Sequence, residues 1–279
     1  MFTKARIFVA VVILACLVLL IYLKFLPPLE FRVFFLNIGQ GDAALIKTPT
    51  GAKILVDCGP DQKILRKLGE RFNFFDRQID YLLVTHPDKD HLGGCLDVLQ
   101  RYNVKNIFVN GVEKDSDAFF LAWKEMLMSE GAEIFIVEKP AEYILDGVKL
   151  KFFNPDKQLL ENKSNDNNDS LVFKLSYITT TVFFAADMEN KLEDKLLQKY
   201  CPASTVICPE FKSDYLKVGH HGSDSSSGEK FLQAVDPVKA IISVGKNSYG
   251  HPSLRVLKRL QRVGAIIWRT DKKGDIIVK

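Results

Sequence analysis

A ten-residue segment combines the side chains that most often bind divalent metals. Thr85-His86-Pro87-Asp88-Lys89-Asp90-His91-Leu92-Gly93-Gly94 directly follows the apolar run Tyr81–Val84. Imidazole and carboxylate ligands together suit a hydrolytic metal, Zn²⁺ or the harder Mn²⁺. A surface turn with scattered charges is the alternative interpretation. Four such groups at alternating spacing after a strand favour a metal site, with the potential ligands His86, Asp88, Asp90 and His91.

Further polar residues of the same chemistry follow other predicted strands, far away in sequence. A carboxylate at a strand end is also a common helix N-cap, and paired histidines can form a polar turn. Taken singly, these residues therefore leave a structural and a functional interpretation open. They are Asp57, Asp187, the pair His220-His221, and His251.

The apolar pattern predicts many short strands interleaved with helices. Such an order predicts mixed sheets covered by helices. Two similar halves, joined near the polar stretch Asn162–Asp169, predict two sheets face to face with the helices outside. The predicted strands are Phe31–Leu36, Ala43–Lys47, Lys53–Val56, Tyr81–Val84, Asn106–Val109, Glu133–Val137, Leu171–Ser176, Thr180–Phe184, Leu216–Val218, Ala240–Val244, Ala265–Trp268 and Asp275–Val278. The predicted helices lie near Gln62–Arg71, Leu92–Arg101, Asp115–Ser129, Asn190–Lys199, Gly228–Val235 and Ser253–Val263.

An unbroken apolar run of 17 residues, Ile7–Leu23, lies near the start of the chain. As a helix it would span roughly 25 Å, and flanking lysines could complete a membrane crossing. A cleaved signal peptide or a lipoprotein signal ending at Cys16 are alternatives, but the run continues past Cys16 without a small-residue cleavage site after it. We expect residues 1–28 to form a membrane anchor and linker, with the catalytic domain outside the cytoplasm.

Composition favours a folded domain with little overall charge. The 279 residues are 47% hydrophobic, which is ample for a large core. The net charge is +4, but Lys4, Arg6 and Lys24 supply 3 of the 38 basic residues, so the remainder is near neutral. Besides Cys16, the cysteines lack Cys-x-x-Cys spacing, which excludes a zinc finger and leaves disulfides or buried thiols open. They are Cys58, Cys95, Cys201 and Cys208.

Seven segments, taken in order, resemble the metallo-β-lactamase-fold superfamily. They look most like its ComEC-like branch, a hydrolase domain linked to DNA uptake. The resemblance covers roughly residues 31 to 279, so residues 29–279 are expected to form the hydrolase domain. The segments are Asn37-Ile38-Gly39-Gln40-Gly41-Asp42-Ala43, Leu55-Val56-Asp57-Cys58-Gly59, Thr85 to Gly94 as quoted above, Asn168-Asp169-Ser170-Leu171-Val172, Ala186-Asp187, His220-His221-Gly222-Ser223 and Tyr249-Gly250-His251-Pro252.

The resemblance implies an α/β fold, an αβ/βα four-layer sandwich, with one or two divalent ions (Mn²⁺ or Zn²⁺) at one edge of the sheets. Asp187 would bridge two ions. The implied metal ligands are His86, Asp88, Asp90, His91, Asp187 and one of His220 and His221. The residues expected to act in catalysis are Asp90, His91, Asp187 and His251. Those expected to orient a ligand or contact the substrate are Asp42, Asp57, Ser170, Lys217 and Ser223.

Three positions depart from the pattern of the broad family. Asp88 stands where the family usually has His, and no His lies near Ser170; the ComEC-like branch shares the Asp. Asp169 or Ser170 could fill that gap. More oxygen ligands shift the preference from Zn²⁺ toward Mn²⁺. Ala186 replaces the Gly that often precedes the bridging Asp.

These features predict a membrane-anchored phosphodiesterase that cleaves DNA with metal-activated water. A basic face on the helix Ser253–Val263, opposite Leu254, Leu257 and Leu260, is either solvated or attracts phosphates; its residues are Arg255, Lys258, Arg259 and Arg262. The alternatives are a small-molecule metallohydrolase for a lactam, ester or phosphonate, and a non-catalytic, membrane-tethered DNA-binding module. A role in DNA uptake would require a separate membrane channel protein as partner.

Overall fold

The computed structural model describes the chain except residues 1, 26–29, 115–116, 130, 157–158, 160–166 and 202–207, and except the side chains of residues 2, 3, 5 and 19–25. The chain divides into two units, residues 1–30 and 31–279. The first unit contains the helix α1 (Phe2–Phe25). The predicted linker prolines, Pro27 and Pro28, lie outside the described residues.

The predicted transmembrane helix is not supported. A helix needs about 20 mostly apolar residues to cross a bilayer. Among the described residues, no helix meets both the length and the apolar character that a crossing requires.

The second unit is built on two sheets of described strands. One sheet has the order β14-β1-β2-β3-β4-β5-β6, and the other has the order β13-β12-β11-β10-β9-β8-β7. In chain order the strands are β1 (Arg32–Phe35), β2 (Ala44–Lys47), β3 (Lys53–Val56), β4 (Gln78–Leu83), β5 (Asn103–Val109), β6 (Glu133–Ile136), β7 (Ala141–Leu145), β8 (Val148–Asn154), β9 (Val172–Tyr177), β10 (Thr180–Phe184), β11 (Tyr215–Lys217), β12 (Lys239–Ile242), β13 (Ile266–Arg269) and β14 (Ile276–Val278).

Helices connect the parallel strands and cover the outer faces. They are α2 (Lys63–Gly69), α3 (Lys89–Leu92), α4 (Cys95–Arg101), α5 (Ala118–Ser129), α6 (Asn190–Tyr200), α7 (Glu229–Val235), α8 (Leu254–Arg262) and α9 (Thr270–Lys273).

Alternating side chains of the strands divide the core into layers. In β1, Val33 and Phe35 join an apolar cluster between the two sheets, which also contains Phe152 and Phe173 of the opposite sheet. Phe34 points the other way and packs with the residues of α2 and α4. A third cluster lies between the second sheet and the helices α6, α7 and α8. This period-two burial gives the predicted order of helix, sheet, sheet and helix.

The predicted division of the chain into halves was wrong in two respects. The second sheet begins with β7, well before the polar stretch Asn162–Asp169, because the hairpin β7–β8 was missed. The last strand, β14, returns to the first sheet and pairs antiparallel with β1, Val33 opposite Val278. Residues 160–166 of the polar stretch lie outside the described part of the chain, and Asn167–Asp169 form a short 3-10 turn.

The predicted helix Leu92–Arg101 is two helices, α3 and α4, separated by Gly93 and Gly94. A Cβ on Gly93 would lie 2.3 Å from the carbonyl oxygen of Pro60, and one on Gly94 would lie 2.5 Å from that of Cys58. The backbones therefore approach closely at both positions, and only glycine fits there.

Candidate metal centre

The predicted metal ligands converge because their strands end at the same edge. The strands β3, β4 and β5 run parallel in one sheet, as do β10, β11 and β12 in the other. Asp57 follows β3, the histidine motif follows β4, Asp187 follows β10 and His220-His221 follows β11. Backbone hydrogen bonds join these loops, as from the Cys58 amide to the His91 carbonyl (2.7 Å).

Four side chains from three of these loops form a compact cluster. The ligand atoms of Asp90, His91, Asp187 and His221 all lie within 4.8 Å of one another. His91 Nε2 lies 3.2 Å from Asp187 Oδ1, and His221 Nε2 lies 3.1 Å from Asp90 Oδ2 and 3.6 Å from Asp187 Oδ2. Two ligands of one ion, each about 2.1 Å from it, lie roughly 3–3.5 Å apart. These spacings therefore fit a shared cation.

Hydrogen bonds on the far side of each imidazole aim its Nε2 into the cluster. His91 Nδ1 donates to Asp57 Oδ2 (2.8 Å), and His221 Nδ1 donates to the Ser243 carbonyl (2.9 Å). His86 Nδ1 lies 3.0 Å from the Thr85 hydroxyl, which itself donates to Asp57. Such partners fix the tautomer and the orientation of histidines that bind metals.

Polar atoms that face the cluster lack hydrogen-bond partners within the described structure. They are His86 Nε2, His91 Nε2 and Asp187 Oδ1, each buried. An unsatisfied buried polar atom costs about 1–3 kcal/mol, so these atoms call for a partner. A cation is the partner that suits two imidazoles and a carboxylate, so the residues present fit a divalent metal.

A second, looser group of side chains also lies near Asp187. His86 Nε2 is 3.9 Å from both Asp187 Oδ2 and Asp88 Oδ2, and His220 Nε2 is 3.8 Å from Asp187 Oδ2. Asp88 also pairs with Lys114. Asp187 is thus common to both groups. Of the two adjacent histidines, His221 belongs to the tight cluster and His220 to the looser group.

Several of these residues occupy a backbone conformation that L-amino acids rarely adopt. Asp57, Ala186, His220 and His221 have φ between 45° and 56°. This left-handed region costs roughly 1–2 kcal/mol per residue and is common at functional sites. Ala186 stands where the resemblance implied a frequent Gly, and its φ of 46° explains why Gly suits the position.

Asp57 and Asp187 are not helix N-caps, because both carboxylates lie beside His91. Asp57 accepts hydrogen bonds from the Thr85 amide and hydroxyl and from His91. Glu189 occupies the N-cap position of α6, the helix that follows Asp187.

Of the two roles expected for Lys217, orienting a ligand and contacting the substrate, its contacts favour the first. Its side chain is buried, its ammonium lies 2.5 Å from Asp42 Oδ2, and it donates to the Val218 carbonyl. The other oxygen of Asp42 lies 3.4 Å from His221 Nδ1. Because a buried carboxylate needs a counter-charge, Lys217 supports Asp42, which in turn lies behind His221.

Two other predicted residues also have local partners. The Ser170 hydroxyl is buried and donates to the Asn167 carbonyl (2.6 Å), and its part in the ligand set stays a prediction. Ser223 Oγ lies 3.0 Å from Ser225 Oγ. His251 places its ring 5.5 Å from that of His220, and its buried Nδ1 has no partner among the described residues.

The histidines and carboxylates of the cluster shift one another's pKa values because their opposite charges lie close together. Burial lowers the pKa of His221, but the carboxylates of Asp187 and Asp42 outweigh it and raise the pKa to about 10. Burial likewise opposes charge on His91, yet Asp187 and Asp57 raise its pKa well above 6.5. Burial raises the pKa of Asp187, but His91 and His221 reverse this and hold it well below 3.8. The carboxylates therefore favour positive charge at the centre of the cluster.

Sequence reasoning missed three contributors to the site. Thr85 bonds to Asp57 and lies beside His86, and its position inside the histidine motif was an available signal. The other two contributors lie far away in sequence and carried no signal. They are Lys114, which pairs with Asp88, and the Ser243 carbonyl, which accepts from His221.

The basic face of α8 is partly neutralised, since two carboxylates lie beside its four cations. Arg255 and Arg259 approach Asp224, at 2.7 and 3.8 Å, and Arg262 lies 3.1 Å from Glu229. Exposed pairs of this kind contribute little to stability, but they reduce the attraction for phosphate. The predicted apolar face was partly wrong, because Leu260 is buried whereas Leu254 is 75% exposed.

Helices on both faces of two stacked sheets, with a histidine and aspartate cluster at the strand ends, define a metallohydrolase of the α/β class. The family model of the metallo-beta-lactamase superfamily matches residues 36–246. The chain belongs to this superfamily.

Its curated relatives include competence proteins, in line with the predicted resemblance to the ComEC-like branch. ComE operon protein 3 of Bacillus subtilis (strain 168) is 30% identical over 278 residues, which cover 91% of this chain and 34% of the relative. Competence protein ComA of Neisseria gonorrhoeae is 28% identical over 252 residues, 90% of this chain and 32% of the relative. The chain thus spans about a third of the length of the curated relatives it matches. The crystal structure of YhfI from Bacillus subtilis, a metallo-beta-lactamase fold protein, has a TM-score of 0.57 at 12% identity, over 90% of this chain and 99% of that one, and shares the fold.

Proposed function

We propose that the chain is a metal-dependent phosphodiesterase that cleaves DNA. The observation that carries the proposal is the cluster of Asp90, His91, Asp187 and His221, whose donor atoms face one another at spacings that suit a shared cation. The competence proteins among the relatives support DNA as the substrate.

The cluster would hold one ion, and the looser group around His86, Asp88 and His220 would hold a second, with Asp187 between them. Divalent ions held there would supply a nucleophile from water at neutral pH and would neutralise charge on a phosphodiester. The number of carboxylate oxygens in the two groups supports Mn²⁺ over Zn²⁺.

The chain's own residues hold and orient this centre. Asp57 and the Ser243 carbonyl fix the Nδ1 atoms of His91 and His221, so that each ring presents Nε2. Asp42 lies beside Nδ1 of His221, and Lys217 pairs with Asp42. His251 lies beside His220 with an unpartnered Nδ1, and we assign it to contact the substrate.

The test is cleavage of a labelled oligonucleotide, with Mn²⁺ or Zn²⁺, by the wild type and by Asp90→Ala and Asp187→Ala. We expect each substitution to abolish cleavage, because each removes a carboxylate from the cluster. Asp271→Ala, at a carboxylate that pairs with Arg269, is the matched control and should leave the rate unchanged. Cleavage that survives both substitutions would contradict the proposal.

A substrate panel separates the proposal from its alternatives. Turnover of a lactam, an ester or a phosphonate without cleavage of DNA would indicate a small-molecule metallohydrolase. DNA binding without turnover and without bound metal would indicate a binding module.

The location and the partners of the chain are proposals too. Two disulfide bonds, Cys58–Cys95 and Cys201–Cys208, support an oxidising, extracytoplasmic compartment, where such bonds persist. Thiol alkylation of the protein taken from cells should leave all four cysteines unmodified, and modification of all four would contradict this location. Attachment to a membrane and a separate channel protein stay predictions, which cell fractionation and cross-linking would check.

A further inference from the structure

Tyr249 is an exposed aromatic side chain held beside the candidate metal centre. We propose that its ring stacks against a nucleobase of the DNA strand whose phosphate lies at the centre. This inference rests on the proposed function and names how the same site would bind a single strand.

Ring contacts lead from the solvent to the ligands. The Tyr249 side chain is 73% exposed, and its ring centroid lies 5.7 Å from that of His251, with 31° between the planes. The His251 ring lies 5.5 Å from that of His220. His220 Nε2 is 3.8 Å from Asp187 Oδ2. Tyr249 is therefore two ring contacts away from the looser metal group, close enough for a nucleotide whose phosphate reaches the centre.

The loop that carries Tyr249 is held in one conformation by Asn247. The side-chain oxygen Oδ1 of Asn247 accepts from the backbone amides of Tyr249 (3.1 Å) and His251 (3.0 Å). Its side-chain nitrogen donates to the carbonyls of Gly245 and His251, both at 2.9 Å. Gly245 in turn packs against the loop at Gly39, since a Cβ there would lie 2.4 Å from Gly39 C. A preorganised loop loses little entropy when a ligand binds.

An exposed aromatic ring alone says little, because single exposed apolar residues are normal. Phe74 and Phe75 are also exposed, but they contact each other, at 5.0 Å between centroids. Tyr249 differs because it lies on a fixed loop and its ring contacts that of His251, which in turn contacts the ring of the candidate ligand His220. Aromatic rings bind the bases of single strands without sequence preference, because every base has a π-face.

The experiment compares two single-stranded oligonucleotides of equal length, one normal and one with tetrahydrofuran residues in place of all the nucleosides near the cleaved bond. Cleavage rates with Mn²⁺ are measured for the wild type, Tyr249→Ala and Tyr249→Phe. Loss of one stacked base costs about 1–3 kcal/mol, so Tyr249→Ala should raise KM about tenfold on the normal strand with kcat within twofold. Tyr249→Phe keeps the ring and should match the wild type.

On the abasic strand all three proteins should have the same, raised KM. Equal KM for Tyr249→Ala and the wild type on the normal strand would overturn the inference, and so would an equal loss on both strands, since a ring without a base has nothing to stack on. If the wild type cleaves neither strand, the proposed function fails, and the stacking inference is then tested by binding. Fluorescence anisotropy measures the dissociation constants of the three proteins for both strands. A dissociation constant raised in Tyr249→Ala on the normal strand alone supports stacking, and identical constants for Tyr249→Ala and the wild type on that strand overturn it.

Discussion

At the scale of residues, the site depends on what lies behind each ligand. His91, His221 and His86 each use Nδ1 for a bond to Asp57, the Ser243 carbonyl or Thr85, which leaves Nε2 for the centre. The ligand types were readable in the sequence. These supporting bonds were readable only where the partner lies in a motif, as Asp57 and Thr85 do.

Asp57→Asn should weaken binding of Mn²⁺ or Zn²⁺ about 10–100-fold, because the amide no longer fixes the tautomer and orientation of His91. Isothermal titration calorimetry on the full chain measures the affinity. Asp271→Asn serves as the control and should bind as the wild type does. An unchanged affinity in Asp57→Asn would mean that this hydrogen bond does not orient a ligand.

At the scale of elements, the strand ends decide where the chemistry lies. Apolar runs followed by polar residues predicted most strands that carry ligands, because a buried strand needs a continuous apolar stretch. The hairpin β7–β8 was missed although Val148, Leu150 and Phe152 alternate with Lys149 and Lys151 in β8, which is the period-two pattern of a half-buried strand. The break between α3 and α4 was missed because the backbone contacts of Gly93 and Gly94 are tertiary.

Helix α6 carries a buried carboxyl group that should make stability depend on pH. Glu193 is 2% exposed and accepts hydrogen bonds from the Ser227 and Gly228 amides, which directly precede α7. Burial raises the pKa of Glu193 from 4.5 to about 7, although both backbone bonds oppose the shift. The folded chain then holds a proton that the unfolded chain releases near pH 4.5, so this group's contribution to stability is full below that pH and is lost as pH rises to about 7.

Glu193→Gln removes the titrating group. Between pH 5 and pH 8 the free energy of unfolding of the variant should rise relative to that of the wild type, by roughly 3 kcal/mol at most. Urea denaturation at several pH values measures both. Parallel pH profiles would show that Glu193 titrates near its ordinary pKa in the folded chain.

At the scale of the whole molecule, the site exists because two sheets bring distant segments together. Asp90 and His221, in hydrogen-bond contact, are 131 residues apart in sequence. The family resemblance predicted this meeting and the four-layer order. Three other features depend on the final packing, so the sequence carried no local signal for them. They are the pairing of Lys217 with Asp42, the pairing of Lys114 with Asp88, and the return of β14 to the first sheet.

The two disulfides should differ in what they contribute to stability. Cys58–Cys95 closes a separation of 37 residues beside Asp57, and Cys201–Cys208 closes one of 7. On loop-entropy grounds, replacing the first pair by alanine should lower the free energy of unfolding by about 4 kcal/mol, and replacing the second pair should cost about 1.5 kcal/mol less. Chemical denaturation of the two double variants provides the comparison, and a larger loss for the short loop would contradict the expectation.

The central claim is that Asp90, His91, Asp187 and His221 hold a divalent metal. Anomalous diffraction from a crystal of the full chain grown with Mn²⁺, recorded on both sides of the manganese absorption edge, tests it most directly. The account predicts a manganese peak enclosed by these four side chains, with any second peak on the His86 side of Asp187. A protein saturated with Mn²⁺ that shows no peak at this cluster would contradict it.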